Sequence, residues 1–201
     1  MNDLTDTVKL KIDSLIKIYE YENERDLINH ANAKVLLRTH NDIHPENASI
    51  LVARGIANRI NGSIFTLNVG TGGATIDPLG NITFATPNTS GVADINSPVY
   101  FEVVDDNRGA PSGNQMSVRH INGTLFSDVE IRMVIDKNEP FGQSPIDSTG
   151  INVNTSSFVF DEIGLKTEDG LLVTHAVFSP IEKSANRIIE IVYTLRVRIV
   201  S

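Results

Sequence analysis

"FDEIGLKTEDGLLVTHAVFSPIEKSANRIIEIVYTLRVRIV", Phe160–Val200, alternates apolar and polar side chains over most of its length. A period of two sends successive side chains to opposite faces of an extended chain, so this stretch reads as strands with one face turned to a core. Glu168-Asp169-Gly170 reads as a hairpin turn between Leu165 and Leu171. In the last strand Ile189, Ile191, Tyr193, Leu195, Val197 and Ile199 share the face expected in the core. Glu190, Val192, Thr194, Arg196 and Arg198 share the other, expected to be partly wet.

Working back from there, almost everything after Ser63 has the same grammar. "SIFTLNVG", "NITFA", "PVYFEVVDD", "QMSVRHING", "TLFSDVEIRMVID", "SSFVFDEIGLKT" and "GLLVTHAVF" are short strands separated by turn residues. That spacing predicts a mainly β fold, an antiparallel sandwich or a barrel-like domain. "PENASILVARGIANRI", Pro45–Ile60, predicts one short buried helix. Pro45 suits the first turn, Glu46 the positive end of the dipole, and Asn61-Gly62 a left-handed stop. Ala48, Leu51, Val52 and Ile56 form one apolar stripe beside a second of Ile50, Ala53, Ala57 and Ile60, a wide face that calls for burial. Gly55 in the helix interior suggests close approach of another backbone.

The sequence divides into 1–44, strands and irregular chain, and 45–201, the helix with the β domain. "VKLKID" and "LIKIYEYE" read as strands, and "INHANAKVLLRTHNDIH" as irregular chain with a short strand at Val35–Leu37. The first segment either folds with the β domain or extends to a neighbour as an interaction arm. Two long polar stretches, Thr71–Pro98 and Asp136–Ser157, interrupt the strand pattern. Loops of about 20 residues in a compact domain are functional, disordered or held by a partner, and partner contact suits these best.

Composition narrows the function classes. A formal net charge of -8, from 25 acidic against 17 basic residues, gives no general attraction for a phosphate backbone, so nucleic acid is not an expected partner. No apolar run approaches the ~20 residues that span a bilayer, and the first residues lack the build of a signal peptide. Synthesis in a cytoplasm is the expectation. There is no cysteine, which excludes disulfides and thiolate metal sites. Six Asn-x-Ser/Thr triplets, beginning at Asn47, Asn61, Asn81, Asn88, Asn122 and Asn154, are read as turn composition and not as glycan acceptors.

Candidate chemistry is sparse. "VGTGGA", Val69–Ala74, follows a strand as a phosphate loop would, but a turn and a strand come next, so no helix N-terminus is offered to an anion. It is expected to be a turn, left-handed at Gly72 or Gly73. His40 and His44 lack a third metal ligand, and His44 or Asp42 is expected to cap the helix. The acids of "VVDDN" and "FDE" are expected at the surface, and His175 is read as a hydrogen-bonded structural residue in mid-strand. No G-x-S-x-G elbow occurs. No catalytic residue, cofactor or metal is assigned. In "SPIEKSANR", Ser179–Arg187, Lys183 and Arg187 beside Glu182 either bind a carboxylate across an interface or solvate a turn. With Phe141, Ile146 and Ile151 of the second polar stretch, these three form the expected interface.

The segment "FDEIGLKTEDGLLVTHAVFSPIEKSANRIIEIVYTLRV" resembles the C-terminal halves of tailed-bacteriophage virion structural proteins. "IHPENASILVARGIANRINGSIFTLNVGTGGATIDPLGNITFATPN" is similar to phage structural proteins in which a short helix feeds a glycine-rich turn. The resemblance implies a non-enzymatic component of the neck or collar, tail or baseplate. Such a chain is made in the host cytoplasm, located in the virion, and assembled as a ring-like homo-oligomer with other virion proteins. The alternative is a carbohydrate- or receptor-binding sandwich of a tail. Its signature would be exposed aromatic platforms, which no tryptophan and four tyrosines supply thinly.

Overall fold

The computed structural model describes residues 9–104, 116–140 and 158–200. In chain order the elements are β1 (Lys9–Tyr21), α1 (Glu24–Asn29), β2 (Lys34–Thr39), β3 (Asp42–Ile43), α2 (Pro45–Ile56), β4 (Thr66–Gly70) and β5 (Ala74–Ile76). They continue as β6 (Ile82–Phe84), β7 (Pro98–Val103), β8 (Met116–Asn122), β9 (Ser127–Ile135), β10 (Phe158–Lys166), β11 (Leu172–Lys183) and β12 (Ile188–Val200). Sheet A has the order β2-β1-β12-β9-β8 and sheet B the order β3-β11-β10-β4-β7, with every ladder antiparallel. β5 and β6 pair as a separate small hairpin.

The two sheets face each other as a sandwich and do not close into a barrel; a parallel bridge between Val104 and Met116 joins them at one side. Ile16, Ile18, Ile131, Met133, Ile191 and Tyr193 of sheet A meet Leu67, Val69, Ile163, Leu165 and Ala176 of sheet B in one core. The expected inward face of β12 is buried from Ile189 to Leu195. Where the Tyr193 hydroxyl crosses this apolar layer it donates to Thr174 Oγ1 at 2.8 Å, so the polar tip of a buried ring is satisfied.

The N-terminal residues are integral to this sandwich. β1 is a single strand that pairs with β12 from Lys9 opposite Val200 to Tyr21 opposite Ile188. β2 extends sheet A and β3 pairs with β11 in sheet B, so residues 9–43 build both layers and are not a detached arm. α1 lies just ahead of the segment read as irregular and runs into its first two residues, Ile28 and Asn29; the Asn23 side chain accepts the Asp26 N–H as N-cap. Glu24 and Asp26 fill its first turn.

The main helix departs from expectation in length and burial. α2 stops at Ile56, and Asn58, at φ 51°, supplies the left-handed exit ahead of Asn61-Gly62. Only Asn47 and Ala48 of the helix are buried, while Ile56 is 84% exposed. The expected buried helix is therefore a surface helix anchored by its first turn. His44 is the N-cap: its Nδ1 accepts the Asn47 N–H, while its Nε2–H donates to Gly91 O. The close backbone approach predicted at Gly55 is made by Gly62, where a Cβ would lie 2.6 Å from the Gly55 nitrogen. No helix among the described residues is long and apolar enough to cross a membrane.

Candidate functional site

The densest polar chemistry lies on the outer face of sheet B, beneath the 71–97 loop. A bulge in β10 between Phe160 and Glu162 breaks the alternation of the strand. Asp161 and Glu162, which a regular strand would point to opposite faces, consequently both reach that loop. Asp161 accepts the N–H groups of Gly73, at 2.7 Å, and Ala74, at 3.1 Å. Glu162 Oε1 accepts from the Ser97 N–H at 2.7 Å and the Gly72 N–H at 3.2 Å. Its Oε2 accepts from the Asn96 N–H, the Asn96 amide and His175.

His175 Nδ1 accepts the Asn88 N–H at 2.7 Å, which puts the ring proton on Nε2, facing Glu162 at 3.1 Å. Burial drives the Glu162 carboxyl upward, but the bonds from His175 and from the Ser97, Asn96 and Gly72 N–H groups outweigh it and hold the group below the ordinary glutamate range. At Asp161 burial wins, and its carboxyl lies above the ordinary range despite the Gly73 and Ala74 N–H groups. Glu162 and His175 are both 0% exposed. An acid and a histidine in contact suggest acid–base catalysis, but their polar atoms are already engaged and sealed from solvent. The cluster pins a loop to a sheet.

Two expectations change here. The acids of "FDE" are buried and not at the surface. Gly72 and Gly73 are needed for close approach and not for a left-handed turn: neither has positive φ, and a Cβ on Gly73 would lie 2.9 Å from the Asp161 carbonyl carbon. The glycine loop does cradle anions, and they are the chain's own carboxylates. The two adjacent acids of "FDE", with a Gly-Gly pair elsewhere, are the sequence signal, though nothing in the sequence indicated which acid meets which loop.

A second feature is an apolar groove beside α2. Between α2 and the sheets a groove of about 570 Å³ opens between Ile12, Val129 and Val197 of sheet A, Val173 of sheet B, and Leu51 and Ile56 of the helix. Leu10 and Ile199, opposite one another in register, continue the same inner face two residues further on and are 48% and 69% exposed. Here the apolar stripe of the helix and the inner face of sheet A meet without closing over each other.

Of the residues expected at an interface, Phe141, Ile146 and Ile151 lie outside the described residues. Glu182 is exposed. Arg187 pairs with Glu22 at 2.5 Å, in place of a carboxylate from another molecule. Lys183 is not exposed: it is fully buried and its Nζ donates to Ser184 O at 3.1 Å. Burial pushes its amine down to about 8, against the pull of Glu139, Asp136 and Glu20. The sequence thus grouped three residues that the structure separates into an exposed acid, a buried amine and an internal ion pair.

On the outer face of sheet A the charges are largely matched. Arg196 makes two bonds of 2.8 Å to Asp128, Arg119 reaches Glu130, and the buried Glu190 accepts from Tyr21 and Arg132. The chain matches no family model, no curated protein and no solved structure.

Proposed function

We propose that this chain is a non-enzymatic structural subunit of a bacteriophage particle, present in several copies at the head–tail neck or collar or in the tail or baseplate. The observation that carries the reading is the apolar end of the sandwich that the described residues leave uncovered, an aliphatic groove lined by Leu51 and Ile56 and continued by the exposed Leu10 and Ile199. A neighbouring copy of the chain is its occupant: rings built head to tail require a concave patch and a complementary one on every copy. Fully burying a large aliphatic side chain contributes roughly 1.5–3 kcal/mol, so covering even three of these gives several kcal/mol toward association. The acid–histidine cluster supports a non-enzymatic role, since its groups are spent on holding a loop. The resemblance of Phe160–Val197 to virion structural proteins supports the particle. The experiment is to purify particles from a lysate in which this chain carries an epitope tag. Stoichiometric tag at a fixed position along the tail axis is expected, and a tag found only in the soluble fraction would refute the proposal.

A further inference from the structure

β1 pairs with β12 over all 13 residues, but β2 covers only Ile16–Glu20 on its other side. Among the described residues, Lys9–Leu15 therefore presents a sheet edge that no strand covers. The Ser14 carbonyl points away from β12, because it accepts from His40 Nδ1. In an antiparallel ladder the groups of alternate residues point the same way, so the N–H and C=O of Leu10 and Ile12 also point outward. No backbone group among the described residues pairs with them.

This edge lines a slot of about 690 Å³, walled by His40, Asn41 and Ile43 on one side and by Thr194, Arg196 and Arg198 on the other. Among the described residues, two buried side-chain atoms lack a hydrogen-bond partner, Asn41 Oδ1 and Arg198 Nε, and both residues line this slot. The Asn41 side chain also interacts with the Tyr193 hydroxyl, whose single proton goes to Thr174. One orphan is an acceptor and the other a cationic donor. The charges are uneven as well: Asp13 serves both Lys11 and Arg198, and Asp128 serves Arg196, so three cations meet two carboxylates.

We propose that the Lys9–Leu15 edge takes up an extended strand of a partner protein, with a carboxylate on the strand's solvent-facing side. The added backbone completes the ladder at Leu10 and Ile12 and offers an N–H to Asn41 Oδ1. The carboxylate meets Arg198 and Lys11, and alternate apolar side chains face Ile12 and Ile43. This is strand addition, in which the main chain gives affinity and the alternating side chains give specificity. The inference stands on the strand edge and holds whether or not the chain is a particle subunit.

The test uses the full chain and a fluorescein-labelled acetyl-TVDVEVT-amide peptide, which carries both acids on one face and three valines on the other. Saturable binding by fluorescence anisotropy is expected, with amide exchange at Leu10 and Ile12 slowed about tenfold or more on binding. The charge-reversed peptide TVKVKVT should bind at least about tenfold more weakly. Leu10→Pro removes an outward N–H and spares the β12 ladder, a placement proline tolerates on an edge; it should lower affinity about tenfold without changing the thermal midpoint. Absence of TVDVEVT binding would overturn the proposal, as would binding that leaves the Leu10 and Ile12 amides unprotected or is indifferent to Leu10→Pro. Self-association of the free chain that protects the Leu10 and Ile12 amides would also overturn it, because the edge would then belong to a second copy.

Discussion

Replacing Glu162 with glutamine tests whether the acid cluster holds the 71–97 loop. The carboxylate accepts from five N–H donors, two on Oε1 and three on Oε2. A glutamine keeps one acceptor oxygen and turns its own NH₂ toward the donors on the other side, so at least two of the five lose their acceptor. Each buried donor left without an acceptor costs about 1–3 kcal/mol, and loss of a buried charged partner about 3–5 kcal/mol, so Glu162→Gln should destabilise by roughly 3–5 kcal/mol. At about 2–4 °C per kcal/mol for a chain of this size, the melting temperature should fall by roughly 6–20 °C. Urea unfolding gives the free energy, and amide exchange at Gly72, Asn96 and Ser97 shows whether the loss begins in the loop. The pH dependence has a definite sign. A carboxyl held below its ordinary value of 4.5 stabilises the fold above that value and loses the contribution as pH falls through the lowered one, so the gap between wild type and variant should narrow on acidification. Asp161, raised by burial, works in the opposite direction and softens the acid limb of both proteins. A variant within about 1 kcal/mol of wild type, with loop exchange unchanged, would refute the assignment of Glu162 as the loop's anchor.

Three other substitutions separate packing from assembly. Gly73→Ala brings a Cβ against the Asp161 backbone and should cost about 1–3 kcal/mol, read from urea midpoints; a neutral result would mean the loop shifts freely. Lys183→Met should leave the protein as stable or more so at neutral pH, because it removes a buried amine whose pKa burial lowers to about 8. The sign follows from the unfolded chain binding more protons between pH 8 and 10.5: wild type gains on the methionine variant as pH rises through that window, and a constant gap would contradict a buried amine. Ile56→Glu, at a side chain 84% exposed, should change folding stability by no more than about 0.5 kcal/mol yet abolish incorporation into particles. Normal incorporation would remove the groove from the assembly surface.

The strands were legible wherever one face is buried and the other wet, as in β12, where buried residues alternate with more exposed ones from Ile191 to Arg196. Pro45 fixes the first turn of α2, which narrowed the cap to His44 or Asp42, and the structure has His44. What local pattern could not convey was where a long polar loop lands. "VGTGGA" and "FDE" lie some ninety residues apart and each looks unremarkable alone; only the β10–β4 pairing, with Glu162 opposite Gly70, brings the two acids under the glycines. Lys183 failed for a related reason. In a turn-rich segment a lysine ordinarily stays in water, and its burial is set by the end of β11 pairing with Phe158, a contact the local sequence does not encode. The exit of α2 was misplaced because Asn58 adopts the left-handed conformation before the more obvious Asn61-Gly62 is reached.

The distribution of satisfied and unsatisfied groups argues for where a neighbour docks. The 71–97 loop, which its length and polarity suggested was waiting for a partner, is tied down by its own chain through Asp161, Glu162 and His175. The arginines in the middle of sheet A's outer face have carboxylates of their own. What is left incomplete gathers at the Lys9 end of β1: a half-paired strand edge, two orphaned polar atoms, and an aliphatic groove whose lining runs on through Leu10 and Ile199. An unpaired edge needs backbone hydrogen bonds and an open groove needs apolar side chains, so no single small ligand answers both. A partner protein's strand answers the edge and a neighbouring copy the groove, and Ile12, which lines the slot and the groove alike, is where the two contacts would meet.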